Sequence, residues 1–330
     1  MAGNGKTMKA VQYEGYGDGV AGLKHVEVPI PSPKKDEILL KVEATSINPI
    51  DWKVQKGMLR PFLPPKFPFV PGVDISGEVI EVGQEVTCFK KGDKVISMLN
   101  LSKSGGLAEF AVAPMNLTVS RPFELSPAEA AGLPTAAVIA LQALKTAGAM
   151  FNGTISPRNI LITAASGGVG HYAVQLAKLA GLHVTATCGT RNIEIAKSLG
   201  ADEVLDYKTP AGAALRSPSG RKYDAVIHCT AGIPWSTFEP NLSTNGKVID
   251  ISPSFKSMVT SMYKKLTLSK KKLVTTVLVP NVEDIKFVVD LAREGKLKTY
   301  VDSRHGLEKV EDAWAKSMSG HATGKVIVEM

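Results

Sequence analysis

The first third of the chain alternates between short apolar or β-branched runs and turn residues. Gly, Pro and Asp separate the runs, which is typical of strands joined by turns. We therefore expect a mostly β region from Lys9 to Leu125. Five prolines between Pro61 and Gly72 predict an extended loop there rather than a helix or a central strand. The runs that we assign to strands are Ile38–Val42, Ile75–Val82, Lys94–Met98 and Ala108–Val112.

The pattern changes at Ser126. Ser126, Pro127 and Glu129 predict a helix N-terminus, with a cap, a proline at the first position and a capping-box acid. Beyond this helix, short apolar runs alternate with helical patterns, which predicts a parallel sheet covered by helices on both faces. The strands are expected at Ile160–Ala164, His183–Thr187, Val204–Leu205, Ala225–Cys229 and Val248–Ile251, and the helices at Val169–Leu179 and Ile193–Leu199.

The last part of the chain returns to mixed patterns. The run LVTTVLV after Lys272 predicts one more strand. Apolar residues at helical spacing predict that Asn281–Glu294 is a helix whose apolar face packs in a core. Gly324–Val328 has the pattern of a strand, and no helix follows it to build another strand–helix unit.

Composition limits the class of protein. A chain of 330 residues is long enough for two domains. Lys and Arg number 39 against 31 Asp and Glu, and this charge of +8 suits an anionic partner without choosing one. Cys88, Cys188 and Cys229 are far apart and form no CxxC pair, which argues against a disulfide framework or a structural zinc lobe and indicates a reducing compartment.

Targeting and membrane signals are weak. No apolar stretch reaches the roughly 18 residues that a spanning helix needs. The first ten residues lack an apolar region and lack the Arg and Ser richness of a transit peptide, so any organelle address is expected to be internal or atypical.

A glycine-rich loop follows the strand NILIT and precedes the helix HYAVQLAKLA. Its residues Ser166, Gly167, Gly168 and Val169 belong to an A-x-G-x-x-G pattern that ends at Gly170. Between a strand and a helix, bare backbone lets a pyrophosphate approach the N–H groups and the positive end of the helix dipole. We interpret the loop as a dinucleotide site; the alternative is a tight structural turn.

The residue that distinguishes NAD from NADP comes about 20 positions later. No acid lies between His183 and Ile193; Thr190 and Arg191 occupy the turn, and an arginine there suits a 2′-phosphate. NADPH is therefore the expected cofactor. Tyr207, at the end of the third strand, is placed near the adenine ribose, although anchoring of the sheet explains it equally well.

The order of these parts resembles a known superfamily. NPIDWKVQKG and VPGVDISGEVIEVG come first, AASGGVG follows in the nucleotide region, and ATGKVIVE closes the chain. The chain is identified by these motifs as a member of the medium-chain dehydrogenase/reductase superfamily, in its zinc-free quinone oxidoreductase branch. Within that branch it is similar to plant enone reductases and to quinone oxidoreductases of the chloroplast envelope.

The resemblance implies a fold of class α/β with two domains. A GroES-like β-rich catalytic domain takes residues 1–128 and 280–330, and a Rossmann NADPH-binding domain takes 129–279. It implies a homodimer, and a location at the chloroplast inner envelope as a peripheral protein, with the cytoplasm as the alternative.

Metal chemistry is not expected. Where the zinc enzymes of the superfamily carry Cys and then His-Glu, this chain has Asn48 and then Val73-Asp74, and NLSKSGGLAEF replaces the cysteine-rich lobe. His228 and Cys229 are adjacent on a strand, so their side chains point to opposite faces and cannot chelate one metal.

The resemblance implies metal-free hydride transfer to a conjugated acceptor: an enone or enal, including lipid-derived ones, or a quinone. Lys53 is the first candidate to polarise the carbonyl and to touch the nicotinamide ribose, Asn48 to donate its amide, and Asp51 to orient Lys53 or the loop. A turn at Asn48 and a helix cap at Asp51 are equally open. Thr135, Ser252 and His321 are further cofactor contacts by resemblance.

A second functional class is a binding protein. Lys264, Lys265 and 270–272 form a basic cluster that suits an anionic membrane surface. Nucleic acid is not expected as a partner, because no RNA-binding motif occurs and aromatic residues make up only 6% of the chain. The other meaning of such a lysine cluster is a solvated face.

Overall fold

The structure is a computed structural model that describes residues 5–152 and 158–330. It divides into two compact units. Unit 1 comprises Met1–Ala136 with Pro280–Met330, and unit 2 comprises Ala137–Val279.

The strands of unit 1 form one large sheet and one pair. They are β1 (Thr7–Gln12), β2 (Lys24–Pro29), β3 (Glu37–Ile47), β4 (Asp74–Val82), β5 (Lys94–Met98), β6 (Phe110–Pro114), β7 (Thr118–Ser120), β14 (Val301–Gly306) and β15 (Lys325–Glu329). The large sheet has the order β14-β15-β3-β4-β5-β7, with β6 also paired to β3, and β1 pairs with β2. Because β15 lies antiparallel to β3, the end of the chain completes the N-terminal sheet.

The helices that start or lie in unit 1 include the one predicted after Ser126. They are α1 (Pro49–Gln55), α2 (Pro127–Ala131), α3 (Pro134–Ala147), α9 (Val282–Arg293) and α10 (Val310–Met318). The capping box is confirmed, since the Ser126 hydroxyl accepts the Glu129 N–H. The helix predicted to open at Ser126 is α2, and a second helix, α3, starts at Pro134, because proline lacks an N–H and disfavours the helical conformation of the residue before it.

Unit 2 has the parallel sheet that the strand–helix alternation predicts. Its strands are β8 (Asn159–Ile162), β9 (His183–Cys188), β10 (Glu203–Asp206), β11 (Tyr223–His228), β12 (Leu242–Asp250) and β13 (Lys272–Thr275), and its further helices are α4 (Gly170–Leu179), α5 (Ile193–Ser198), α6 (Pro210–Ala213), α7 (Trp235–Phe238) and α8 (Phe255–Leu266). The order of the strands in the sheet is β10-β9-β8-β11-β12-β13, and each described pairing of strands is parallel. The α/β fold class is thereby confirmed, and the turn after β8 is the expected glycine loop.

A core around Trp314 holds α1 against α10 in unit 1. The Trp314 side chain is fully buried, and its indole N–H donates to Gln55 Oε1 at 3.2 Å. The indole N–H of Trp52 donates to Ser317 Oγ, also at 3.2 Å. Two hydrogen bonds between the helices therefore set the position of α1, which carries Lys53.

In the part of the chain that the structure describes, no helix is both long and apolar enough to cross a bilayer.

The proline-rich loop between Pro61 and Gly72 contributes aromatic side chains to the core of unit 1. Phe67 and Phe69 pack against Tyr13, with ring centroids 6.0 and 5.6 Å apart.

Trp314→Ala is expected to lower the free energy of unfolding by about 3–5 kcal/mol, because it removes a buried indole and leaves the Gln55 carbonyl without its donor. Phe123→Ala is the matched control: Phe123 is 95% exposed, and its removal is expected to change stability by less than about 0.5 kcal/mol. Urea unfolding of both variants measures the difference. Equal midpoints would contradict this account of the core.

Candidate active site

Unit 1 contains a buried cluster of polar and charged side chains. Asn48 and Asp51 lie at the start of α1, Asp74 opens β4, Thr135 lies in the first turn of α3 and Lys325 opens β15. Asn48, Asp51, Asp74 and Lys325 are each at most 3% exposed. Because burying an unpaired charge is costly, such a group needs partners for every member.

Asp74 is the centre of the cluster. Its carboxylate accepts hydrogen bonds from Asn48 Nδ2 at 2.9 Å, the Ser46 hydroxyl at 3.1 Å and the Thr135 hydroxyl at 2.7 Å. The Thr135 backbone N–H donates to it as well, at 3.1 Å. Lys325 Nζ donates to Asn48 Oδ1 at 2.6 Å, so the Asn48 amide lies between an acid and a base.

These contacts change the role expected for Asn48. Its amide nitrogen donates to Asp74 and lies within 3.4 Å of Ser46 acceptors, while its oxygen accepts from Lys325. The amide is therefore engaged inside unit 1 rather than directed to a substrate oxygen. These bonds connect the start of α1 to β4 and to β15.

Asp51 joins the first turn of α1 to the end of the proline-rich loop. Its carboxylate accepts the backbone N–H of Asn48 at 2.8 Å and that of Gly72 at 3.2 Å. Gly72 has a φ of +98°, and a Cβ there would lie 3.0 Å from Gly106 Cα, so only glycine fits easily. Of the roles considered for Asp51, the contacts show two: it caps α1 through the Asn48 N–H, and it binds the loop through the Gly72 N–H.

Burial shifts the ionisation of the cluster. Desolvation raises the pKa of Asp51 to about 7 and also raises the pKa of Asp74, while it lowers the pKa of Lys325. The Lys325 charge opposes the increase at both acids. The pair Asp74–Lys325 thus limits the cost of burying either charge.

Lys53 lies outside this buried group. It is a half-buried residue of the last turn of α1, and its Nζ lies 5.8 Å from the centroid of the Trp52 ring. Lys56 Nζ lies 5.0 Å from the same centroid, and Lys56 is exposed. The cluster positions the helix at its N-terminus, and the Trp52–Ser317 bond positions it further along.

The residues at these positions do not fit a catalytic zinc ion. The donors around Asp74 are an amide, two hydroxyls and a backbone N–H, and all of them point hydrogens at the carboxylate. The ammonium group of Lys325 donates to the oxygen of that same amide. A zinc ion needs several lone-pair donors converging on one point. Among the described residues, no group of three or more His, Cys, Asp or Glu side chains has the geometry to hold a metal ion.

The glycine loop of unit 2 has the features of a dinucleotide turn. A Cβ added at Gly170 would lie 2.2 Å from the Ala164 carbonyl oxygen, so glycine is needed where α4 packs against the loop. The Gly167 N–H donates to the same carbonyl at 2.9 Å. The N–H group of Gly167 is therefore already bonded within the turn. Ser166 Oγ accepts from Asn192 Nδ2 at 2.8 Å, which ties the loop to the turn after β9.

The residues proposed for the adenosine ribose lie at one edge of the sheet, but an acid that the sequence analysis missed accompanies them. Thr190 and Arg191 follow β9 and are exposed, and Tyr207 follows β10 with its hydroxyl 3.1 Å from the Cβ position of Gly189. The Thr190 hydroxyl donates to Asp206 Oδ2 at 2.5 Å, which lowers the pKa of Asp206. Asp206 ends the third strand of unit 2, β10, whereas the position that distinguishes NAD from NADP follows the second strand, β9.

Ser252 and His321 are the two weaker candidates for contacts with the cofactor. Ser252 lines a cavity of about 160 Å³ beyond β11 and β12 with His228 and Asp250. Burial lowers the pKa of His228, whose Nδ1 lies 3.0 Å from the Thr163 hydroxyl. His321 belongs to unit 1 and is exposed, with its N–H donating to Ser319 Oγ at 3.2 Å.

Asp51 is expected to make unfolding pH-dependent. A carboxyl whose pKa is higher in the folded state than in the unfolded state binds more protons when the protein is folded. The contribution of Asp51 to the free energy of unfolding therefore falls by up to about 1.4 kcal/mol per pH unit as the pH rises from about 4 to about 7. Asp74 acts in the same direction, whereas the lowered pKa of Lys325 makes stability rise with pH above that pKa.

Asp51→Asn is therefore expected to flatten the decline in stability towards neutral pH. Urea unfolding across this pH range measures the slope, and Asp36→Asn, at an exposed carboxyl, is the control that should keep it. A wild-type slope in Asp51→Asn would contradict the burial of an ionisable group at this position.

Comparison with known proteins identifies the family. The profile described as the alcohol dehydrogenase GroES-like domain matches residues 34–122, and the profile described as zinc-binding dehydrogenase matches residues 199–328. The chain is 65% identical to the chloroplast envelope quinone oxidoreductase homolog of Arabidopsis thaliana, over 98% of this chain and 99% of that protein.

Two further similarities cover nearly the whole chain. It is 31% identical to the chloroplastic NADPH-dependent alkenal/one oxidoreductase of Arabidopsis thaliana, over 98% of this chain and 80% of that protein. The quinone oxidoreductase structure from Coxiella burnetii aligns with a TM-score of 0.88 at 31% identity, over 98% of this chain and 100% of that one. The expected resemblance is confirmed: the chain belongs to the quinone oxidoreductase branch of the medium-chain dehydrogenase/reductase superfamily, and it is an oxidoreductase with a nicotinamide cofactor.

Proposed function

We propose that this oxidoreductase uses NADPH to reduce the conjugated double bond of α,β-unsaturated carbonyl compounds, or quinones, without a metal. The observation that carries the proposal is the cluster of Asn48, Asp74 and Lys325, which replaces a zinc-ligand set and leads directly into the helix that bears Lys53. The names of the relatives, an alkenal/one oxidoreductase and a quinone oxidoreductase homolog, agree with this substrate class.

A conjugated acceptor suits a site without a Lewis acid. Bound NADPH supplies a hydride. The acceptor carries the resulting negative charge to its oxygen, where a preorganised cation or hydrogen-bond donor stabilises it by about 2.7–4 kcal/mol. Lys53 is the proposed donor. Trp52 carries no acidic proton, so we assign the protonation of the carbon to water.

The anchoring of α1 makes Lys53 suitable for this role. Asp51 and Asn48 determine where the helix starts, and Trp52 and Gln55 bond to α10. A cation on a fixed helix loses little further freedom when the substrate binds, which is the advantage of preorganisation. Asn48 and Asp51 thereby support catalysis through Lys53.

Two regions of unit 2 are proposed to bind NADPH. The turn of Ser166, Gly167, Gly168 and Val169 at the start of α4 fits the pyrophosphate, because a helix N-terminus attracts anions. Thr190 and Arg191 are proposed to hold the 2′-phosphate, with Tyr207 beside the ribose. Asp206 adds a negative charge next to Thr190, so the preference for NADPH depends on Arg191.

The remaining contacts and the cellular setting rest on the relatives. Thr135, Ser252, His321 and Lys53 are proposed contacts of the nicotinamide half of the cofactor. A chloroplast location is proposed from the names of the most similar relatives. A homodimer is proposed from the superfamily.

The reaction is tested by a steady-state screen of quinones against short- and long-chain enones, each with NADPH and with NADH. Loss of enone absorbance together with NADPH oxidation is the expected result. Reduction of quinones only would contradict the double-bond reaction, and turnover that needs added zinc would contradict the metal-free assignment.

Lys53→Ala is expected to lower kcat for enone reduction by about 100-fold, since it removes one donor to the developing oxyanion. NADPH affinity should change by less than about ten-fold, because the lysine acts mainly in the transition state. Lys56→Ala is the matched control, at the C-cap of the same helix and beside the same indole ring. Equal turnover in the two variants would remove Lys53 from the mechanism.

Arg191→Ala is expected to reduce the ratio of kcat/KM for NADPH over NADH by about ten-fold or more, because an ion pair with the 2′-phosphate is lost. Lys197→Ala removes an exposed cation from α5 and serves as the control, with the ratio unchanged. An unchanged ratio in Arg191→Ala would contradict the assignment of the 2′-phosphate.

A further inference from the structure

Asp206 ends β10 beside the turn that we propose to hold the 2′-phosphate of NADPH. Its Oδ2 accepts the Thr190 hydroxyl at 2.5 Å, and its Oδ1 accepts the backbone N–H of Lys208 at 2.9 Å. The pairing of β10 with β9 places Asp206 opposite Cys188, and the Tyr207 N–H donates to the Cys188 carbonyl at 3.1 Å. The carboxylate is therefore held against the turn by strand pairing and by two hydrogen bonds.

The turn, the carboxylate and the glycine loop lie at one edge of the sheet. Strands β8, β9 and β10 are neighbours and parallel, so their carboxyl ends meet at the edge where ligands of such sheets bind. Asn192 Nδ2, in the turn after β9, donates to Ser166 Oγ of the glycine loop at 2.8 Å. A dinucleotide that runs from the glycine loop to this turn brings its adenosine ribose to Thr190 and Asp206.

The Asp206 carboxylate is ionised at neutral pH. The hydrogen bond from the Thr190 hydroxyl and the bond from the Lys208 N–H lower the pKa of Asp206. Asp202 and Glu203 lie at the opposite end of β10 and are directed to other partners. Asp206 therefore places a negative charge where a 2′-phosphate would add about 1.5 to 2 more.

The hydroxyl of Thr190 has a single proton, which is donated to Asp206. In the site that we propose, Thr190 would have to give up this bond before it could donate to the 2′-phosphate. A hydrogen bond to a charged acceptor is stronger than one to a neutral acceptor, so the exchange cancels part of the gain from the phosphate contact. The ribose 2′-hydroxyl of NADH needs no such exchange, because it carries a proton of its own.

Two cations at the same edge act in the opposite direction. Arg191 and Lys208 are both exposed there, and each follows a residue that we place beside the ribose. Opposite charges attract the phosphate, whereas the Asp206 carboxylate repels it. The preference between the two nicotinamide cofactors is then the balance of these charges.

We propose that Asp206 is a specificity-determining residue that weakens binding of the 2′-phosphate and thereby limits the preference for NADPH over NADH. The inference rests on the proposed function, since it takes the adenosine ribose to lie beside Thr190 and Arg191. Asp206 acts through its own charge and through the hydroxyl that it holds. Arg191 favours the phosphate, and Asp206 determines how far that preference extends.

The test is isothermal titration of the purified full chain with adenosine 2′,5′-bisphosphate and with 5′-AMP, which lacks the 2′-phosphate. The wild type is expected to bind the bisphosphate more tightly. Asp206→Asn should raise the ratio of the two affinities by about five-fold or more, because a repelling charge is lost. The amide oxygen of that variant can still accept the Lys208 N–H, and its NH2 can donate to the Thr190 oxygen, which frees the hydroxyl proton for the phosphate.

A second substitution separates the hydrogen bond from the charge. Thr190→Val is expected to change the affinity ratio by less than about two-fold in the wild-type background, where the hydroxyl is bonded to Asp206. In the Asp206→Asn background the same substitution should lower the ratio by about three-fold, since the freed hydroxyl is lost. Equal effects of Thr190→Val in the two backgrounds would contradict the exchange of the hydroxyl.

Salt dependence distinguishes repulsion from a change of shape. The gain from Asp206→Asn should shrink when the ionic strength rises from about 0.05 to about 0.5 M, because salt screens exposed charges. A gain that depends on the shape of the turn would be the same at both ionic strengths, and this result would contradict a role through charge.

Matched variants control for general charge and for stability. Glu194→Gln removes an acid from α5 whose side chain is 83% exposed and paired with Lys197, and it should leave the affinity ratio within about two-fold of the wild type. Asp206→Ser keeps a side-chain oxygen that can accept the Lys208 N–H, and it should reproduce the gain of Asp206→Asn. The thermal unfolding midpoint of each variant, measured without ligand, checks that the fold is retained.

An unchanged affinity ratio in both Asp206→Asn and Asp206→Ser would overturn the inference, and so would an equal gain in Glu194→Gln. The proposed function fails in a different way. A wild type that binds the two ligands equally, with no change in Arg191→Ala, would contradict the 2′-phosphate site itself. Binding of neither ligand would overturn both proposals.

Discussion

The hydrogen bonds between Asn48, Asp74 and Lys325 are the constraint on which unit 1 depends. They connect the end of β3 and the start of α1 to β4 and to β15, segments that are up to 277 residues apart in sequence. Each buried charge is stable only because the others satisfy it, so the cluster holds as a whole. The position of α1, and with it Lys53, follows from this arrangement.

The cluster is also the basis of our proposal that this fold, which is related to zinc dehydrogenases, works without a metal. The zinc-binding dehydrogenase profile matches the second half of the chain, yet the donors around Asp74 carry hydrogens and a lysine takes part in the network. Lys325 supplies the buried positive charge of this network. In the reaction that we propose, the charge on the acceptor oxygen needs stabilisation, and Lys53, on its anchored helix, is the group proposed to provide it.

Helix α8 presents its large apolar side chains to solvent. Its polar side makes the contacts with unit 2, and its apolar side makes none of the contacts that stabilise a core.

The local patterns of the sequence were enough to predict the architecture. Alternating strands and helices indicated the parallel sheet, and the glycine loop after β8 indicated the nucleotide turn, because periodicity and turn chemistry act over a few residues. Pro134 likewise acts locally: it divides the alanine-rich segment into α2 and α3, because proline begins a helix more easily than it continues one.

Tertiary structure alone decided the partners of distant residues. No spacing rule joins Lys325 to Asn48, since the contact arises when β15 pairs with β3, and therefore the amide of Asn48 is occupied although the motif makes it a candidate donor. Asp206 reaches Thr190 only because β10 lies beside β9. The sequence also did not determine that the apolar side of α8 faces solvent. Helical periodicity shows that a helix has two sides but not which side contacts the protein.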